Sequence, residues 1–251
     1  MNSLGKINRD HVLSYYAQNS VLEHYVEATA QVGLWESEKI IIAKNLPDLS
    51  SRILELGCGC GRISFGLLKL GYEKVHASDF SAAMVKGAKK IASKMNFSIP
   101  LEVADATDLS YQNDSFDTVI FGFNGLMQIP GRENRIRAIR EINRVLNSGG
   151  KFIFTSHDRS MPNWKKFWAM ERKLWRKNQQ GEKLLEFGDR YEETVRGMLY
   201  LHVPDIAEIK QDLKESGFLL EYDQMRSSIA DESELVKKYS DDCRFWVARK
   251  I

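Results

Sequence analysis

The sequence predicts an α/β fold, a doubly wound parallel sheet with helices on both faces. Three observations carry that prediction. Short apolar strands alternate with helical stretches along most of the chain. The run Arg52-Ile-Leu-Glu-Leu-Gly-Cys-Gly-Cys-Gly-Arg62 reads as a buried strand, a tight turn and a helix N-terminus. Polar residues also fall at strand carboxyl ends, where a sheet of this kind binds its ligand: Glu55, the glycines, Asp79, Asp105, Asn124 and His157.

Residues 9–45 read as two or three helices, because Val12, Tyr15, Tyr16, Val21, Tyr25 and Val26 recur at roughly helical spacing. Ser37 is placed to cap the run Glu38–Lys44. This segment is either an amphipathic pair packed on the sheet or, around Tyr15, Tyr16 and Trp35, a lid over the ligand. After the glycine turn a short apolar helix runs from Ile63 to Leu70 and stops at Gly71. Lys74–Asp79 is a second strand ending in an acid, and Ser81 caps a helix over 82–95. Strands follow at 100–104, ending before Asp105, and at 116–121, leading into Gly122-Phe-Asn-Gly125. A helix over 133–146 is stopped by Asn147-Ser-Gly-Gly150, and a fifth strand, 151–156, reaches His157 and Asp158.

Residues 159–203 break the alternation. Trp164, Phe167, Trp168 and Trp175 share one side of a helix also rich in Lys165, Lys166, Arg172, Lys173, Arg176 and Lys177. Residues 184–187 and 191–203 read as strands, with Gly188-Asp189 as the turn. The core pattern then resumes with a helix over 205–216 and strands over 219–225 and 243–249. The 251 residues accordingly divide as one domain: an N-terminal helical cap (1–46), a cofactor-binding core (50–158), a substrate-side insert (159–203) and the C-terminal part of the core (204–251).

Composition adds bounds. Hydrophobic content of 43%, charged content of 28% and a formal charge of +2 are ordinary for a globular enzyme and do not by themselves imply nucleic acid. No run approaches a membrane span, and the first ten residues lack the apolar core of a secretory signal. Three cysteines, two of them in the glycine turn, make no disulfide framework, and the cytoplasm is the expected compartment. A lone Cys58-x-Cys60 does not complete a tetrahedral metal site, so no metal is expected.

A glycine-rich strand–turn–helix with an acid about 20 residues on is a general sign of a bound nucleoside. Two details narrow it. Gly61 comes one place too early for the dinucleotide pattern, and Glu55 precedes Gly57 by two residues. A carboxylate suits a ligand carrying an ammonium and a sulfonium better than a pyrophosphate. The run Ile53–Gly61, with Ser78-Asp-Phe-Ser81 and Met84, Ala104-Asp-Ala106, Phe116-Asp-Thr-Val-Ile120 and Leu146-Asn-Ser-Gly-Gly-Lys151, resembles the motifs of class I S-adenosylmethionine-dependent methyltransferases. The resemblance implies a seven-stranded, mostly parallel sheet whose last strand is antiparallel. It also implies that Gly57, Cys58, Gly59 and Gly61 let the backbone approach the methionine part of the cofactor, with Glu55 orienting the site. Asp79 would hold the ribose hydroxyls and Phe80, with Met84 nearby, would lie against adenine. Asp105 and the Ala106 backbone would read the adenine edge, while Gly122, Phe123 and Asn124 would border the methyl group.

Alternatives stand beside several of these roles. Asp79 and Asp105 also suit turn or helix caps. His157 is either a polar residue at a strand exit or a substrate-side group, and Tyr200 and His202 share one strand face in either core or pocket. If the acceptor must lose a proton, His157 and His202 are the candidate bases. After the fourth strand there is neither an Asn/Asp-Pro-Pro-aromatic motif nor a Pro-Cys pair, which disfavours methylation of adenine, glutamine or cytosine. What remains resembles the small-molecule methyltransferases, with Tyr16, Trp35, Trp164 and Tyr200 as candidate substrate contacts. The runner-up is RNA methylation through the basic, tryptophan-rich helix. A third reading is a cofactor-binding protein without activity.

Overall fold

The computed structural model describes residues 5–251, so residues 1–4 of the expected cap lie outside the described residues. The sheet is built outward from β1 (Ile53–Leu56), a strand buried along its whole length. Successive side chains point to opposite faces. Leu54 and Leu56 therefore join the core under α6 (Arg132–Val145) and α8 (Ile206–Glu215). Ile53 packs on the other face with Ile63 and Leu67 of α4 (Arg62–Lys69) and with Ile41 and Ile42 of α3 (Glu36–Asn45). Glu55 shares that second face, which brings it under α4.

Parallel to β1 lie β2 (Val75–Asp79) on one side and β4 (Phe116–Phe121) on the other. The order continues through β3 (Leu101–Val103) at one edge and β5 (Leu146–Ser156), β9 (Arg244–Lys250) and β8 (Phe218–Met225) toward the other. β9 runs antiparallel to both neighbours, and the expected seven-stranded, mostly parallel sheet is the one observed. The strand order reverses between β1 and β4, which opens a crevice at their carboxyl ends. α5 (Ala82–Lys94) begins at the Ser81 cap, as its sequence predicts.

Several local expectations change. Ser37 lies inside α3, which starts at the Trp35 cap. The Glu38 carboxylate accepts from the Trp35 amide (2.9 Å), and Glu232 accepts from the amides of Glu36 and Ser37. The first-turn carboxylate of Glu38 and the distant carboxylate of Glu232 thus satisfy the amides at the start of the helix, and no serine cap is needed. In the insert, 184–187 is not a strand. The 191–203 run is itself a hairpin, β6 (Asp189–Thr194) and β7 (Gly197–His202), turning at Val195-Arg196. Two short helices that the sequence did not announce, α9 (Arg226–Ile229) and α10 (Glu234–Tyr239), precede β9.

The N-terminal segment forms α1 (Arg9–Tyr16) and α2 (Asn19–Glu27), then one π-helical turn before α3. It is fastened to the core by a buried bidentate ion pair. Both terminal nitrogens of Arg62 donate to Glu38 at 2.6 Å, and one also donates to the Gly33 carbonyl. Both side chains are less than a tenth exposed. Breaking such a pair from one side leaves an uncompensated buried charge. Glu38→Ala is therefore expected to lower the unfolding free energy by about 3–5 kcal/mol in urea titrations. A loss below about 1 kcal/mol, the range of an exposed pair, would show that the contact does not fasten the cap.

Candidate active site

The glycine turn sets one wall of the crevice. Gly57 and Gly61 have φ of +64° and +92°, and a Cβ at these positions would lie 2.7 Å from the Phe121 ring and 2.5 Å from the Phe65 ring. Only glycine meets both the dihedral and the space. The Cys58 amide donates to the Ser78 carbonyl (2.9 Å), holding the turn against β2. Burial pushes both thiols up, that of Cys60 to about 12. Cys60 lies 3.8 Å from the Met84 sulfur in a buried cluster behind the turn. Met84 and Gly61 therefore shape the turn without lining the crevice, whereas Gly57, Cys58 and Gly59 line it.

The acids follow from strand ends. Asp79, at the end of β2, accepts from the Gly59 and Ser81 amides, each at 2.8 Å. Burial raises its carboxyl to about 6 against the pull of those two donors. Phe80, Asp105 and Ala106 extend the same wall, and Thr107 donates its amide and hydroxyl to Asp105. Arg9 of α1, which sequence reasoning missed, reaches into this group. Its guanidinium lies 2.9 Å from Asp105 and 4.6 Å from the centre of the Phe80 ring.

The other end of the crevice is aromatic. Beyond β4, Phe123 and Asn124 both adopt positive φ, 48° and 60°. The bend turns Phe123 into a cluster with Tyr25 (6.1 Å between ring centres) and Tyr239 of α10 (5.2 Å, stacked). Tyr16 donates to Gln128 beside them. Burial raises the phenols of Tyr16 and Tyr25, so both remain protonated near neutrality. Gly122 and Phe123 line the cavity. Asn124 instead points behind the wall, its amide nitrogen donating to Thr155 (2.9 Å) and its side chain to His157 Nε2 (3.3 Å).

Both candidate bases are corrected by their partners. His157 donates from Nδ1 to the Asp242 carbonyl (3.2 Å) while Nε2 faces Asn124, and burial holds its pKa below the usual range. Both nitrogens are engaged, and the ring does not line the cavity. His202 is fully buried in a charged knot, with Nδ1 2.8 Å from Asp189 and Nε2 2.6 Å from Glu208. Burial opposes its charge, but the two carboxylates outweigh burial and raise its pKa. An imidazolium can donate to both, so His202 ties the hairpin to α8. Tyr200 belongs to this knot, donating to Asp189 at 2.9 Å, and so does not reach the crevice. Glu186, Asp189 and His202 approach one another closely, but the buried Arg135, 3.0 Å from Glu186, supplies the positive charge there. Trp35 is 1% exposed, packed under the guanidiniums of Arg62 and Arg226. Trp164 is exposed, lies under Arg190 and does not line the cavity. Of the four expected substrate contacts, only Tyr16 lines the cavity.

The cavity is about 610 Å³ and runs from the acids to the aromatic end. α1 and α2 cover one side, and Leu185 and Glu186 of the insert close the other. The bare backbone at Gly57 and the carboxyl of Asp79 suit S-adenosylmethionine, whose methionine part needs close approach and whose ribose offers two hydroxyls.

Glu55 sits at the base of this wall, 2% exposed, accepting from the Ser64 amide (2.8 Å) and hydroxyl. Burial raises its carboxyl from 4.5 to about 8. The folded chain therefore holds a proton that the unfolded chain releases, and this contribution to stability is full below pH 4.5 and lost as pH rises through about 8. Glu55→Gln should flatten the fall in melting temperature between pH 5 and about 9, leaving the slope due to Asp79 and His202. An unchanged pH profile would show Glu55 to be ionised. His202→Ala should cost about 3–5 kcal/mol of stability through its two abandoned carboxylates, with the turnover of folded enzyme retained. Lost turnover at unchanged stability would restore a catalytic role.

Comparison with known proteins agrees with this geometry. Residues 53–150 match the methyltransferase domain family. The chain is 35% identical over 129 residues to a ubiquinone/menaquinone biosynthesis C-methyltransferase of Rickettsia massiliae, covering 48% of each protein. The counterpart from Rickettsia felis is 33% identical over the same length. The chain thus spans about half the length of the curated relatives it matches. Among solved structures, an S-adenosylmethionine-dependent methyltransferase of Methanosarcina mazei superposes with a TM-score of 0.68 at 20% identity, over 87% of this chain and 99% of that one. The cyclase SpnF superposes with a TM-score of 0.70 at 19% identity over 99% of both chains, a likeness of fold alone. The motifs, the strand order and these matches place a methyltransferase domain at residues 53–150, within a fold shared with S-adenosylmethionine-dependent methyltransferases.

Proposed function

We propose that the protein transfers a methyl group from S-adenosylmethionine to a small, ring-bearing, apolar acceptor, and that the acceptor atom is carbon. The observation that carries this reading is the roofed cavity, polar at one end and lined at the other by Tyr16, Tyr25, Phe123 and Tyr239. Its volume of about 610 Å³ is in the range of small-molecule sites. The name of the Rickettsia relatives, C-methyltransferases of quinone biosynthesis, supports carbon as the acceptor atom. α7 (Lys165–Arg176) gives no comparable support to RNA, because Trp168 and Trp175 pack inward against Phe187 and are not free to stack bases. The three cysteines are free and buried, which supports a reducing compartment such as the cytoplasm.

When bound, the cofactor supplies a methyl group on a sulfonium, a good leaving group. The chain's own residues then have three tasks. The backbone at Gly57–Gly59 and the carboxylate of Asp79 hold the methionine and ribose ends, and Phe80, Asp105 and Ala106 hold the adenine. Gly122 and Phe123 border the transferred group. The aromatic wall orients the acceptor and excludes water, so alignment contributes much of the rate. No histidine lines the cavity among the described residues, and Tyr16 and Tyr25 stay protonated, so we assign no general base.

Radiolabelled methyl transfer should appear in organic-phase metabolites when the enzyme is given a cell extract, and not in purified total RNA. Label in RNA alone would overturn the acceptor reading. Asp79→Asn should weaken binding of S-adenosylhomocysteine by roughly 10- to 100-fold in calorimetry, the worth of charge-assisted hydrogen bonds.

A further inference from the structure

The inference concerns Arg9 and rests on the assignment of Phe80 and Asp105 to the adenine. Adenine is a planar group that stacks on an aromatic ring and donates N–H bonds from its amino nitrogen. A guanidinium has the same two capacities. In this structure Arg9 uses both on the same two side chains: it lies over Phe80 at 4.6 Å and pairs with Asp105 at 2.9 Å. All three residues line the one cavity. We propose that Arg9 is an internal ligand, a stand-in for adenine that the cofactor must displace.

The rest of α1 is placed to keep the guanidinium there. Asn8 caps the helix, accepting from the amides of Asp10 and His11. Just before it, the Ile7 amide donates to the Lys183 carbonyl (3.0 Å) and Lys6 donates to the Leu184 carbonyl (2.9 Å). His11 meets Tyr191 of the insert edge-on at 5.9 Å. The backbone at Arg9 is thus held by the insert, independently of the Arg9 side chain. That side chain is 59% exposed and its stem is flexible. It can leave the Phe80–Asp105 place while α1 stays docked as the roof. A solvent-facing pair of this kind is also weak enough for a nucleoside to displace.

The competitor role makes a directional prediction. Arg9→Ala should bind S-adenosylhomocysteine roughly three- to tenfold more tightly than the native protein, the worth of one exposed ion pair plus one cation–π contact. S-adenosylhomocysteine carries no sulfonium charge, so added salt has little direct effect on it. The native protein should therefore gain affinity as salt screens the Arg9–Asp105 pair, while the variant should not. Arg9→Lys, which keeps the charge and loses the planar fork, should fall between the two. In the ligand-free protein, amide exchange over residues 9–16 should be unchanged in Arg9→Ala, because the insert holds α1 without the Arg9 side chain. Weaker or unchanged binding in Arg9→Ala would overturn the proposal alone, weaker binding marking Arg9 as a contact to the bound cofactor. Faster exchange would likewise overturn it, because α1 would then depend on the contact that the cofactor has to displace. Absence of binding in both proteins would overturn it together with the adenine assignment.

Discussion

The architecture hangs on the buried contact between Arg62 and Glu38. Arg62 is the residue directly after Gly61, so its side chain leaves the glycine turn at the first position of α4. Glu38 binds it with both oxygens and also accepts from the amide at the start of α3. One carboxylate thereby fixes the N-terminal segment, the turn and the entry to α4. Trp35, packed under Arg62 and Arg226, extends the connection to α9 near the chain's other end. Pairs like this contribute less to net stability than to register, because burying the charges costs much of what their attraction returns. Here the register is that of the glycine turn, whose backbone at Gly57–Gly59 lines the cavity.

From that fixed turn the cavity divides by chemistry. Glu55, Asp79 and Asp105 belong to or follow β1, β2 and β3, all on one side of the strand-order reversal. Phe123 follows β4 on the other side, and Tyr16, Tyr25 and Tyr239 descend on it from helices outside the sheet. The sheet therefore supplies the acids, and the additions to the sheet supply most of the aromatic wall. Under the proposed function, this separates the part that would recognise the nucleoside from the part that would recognise the acceptor.

The sequence made the first part legible and the second largely illegible, for physical reasons. The strands and turns of the core are specified locally: Gly57 and Gly61 by dihedral and space, Asp79 and Asp105 by position at strand ends. Residues such as Trp35, Tyr200 and His202 look like pocket residues because they are aromatic or titratable, yet their environments are set by distant partners. His202 is defined by Asp189 on the paired strand and Glu208 on the next helix. Arg9 gives no local signal at all, since its partners lie more than seventy residues away. α9 and α10 are too short to show a period, and so the contribution of Tyr239 was invisible.

The left-handed backbone at Phe123 carries one more implication. A non-glycine residue in that region holds a conformational cost on the order of 1–3 kcal/mol, kept in place by its surroundings. Its ring is what the backbone is bent to deliver, stacked on Tyr239 beside Tyr25. Backbone relaxation and ring packing therefore pull in opposite directions at this single position. Glycine there would relax the backbone but would leave Tyr25, Trp35 and Tyr239 without the ring they pack on, so the strain is held by an aromatic cluster whose rings from Tyr25, Phe123 and Tyr239 line the cavity.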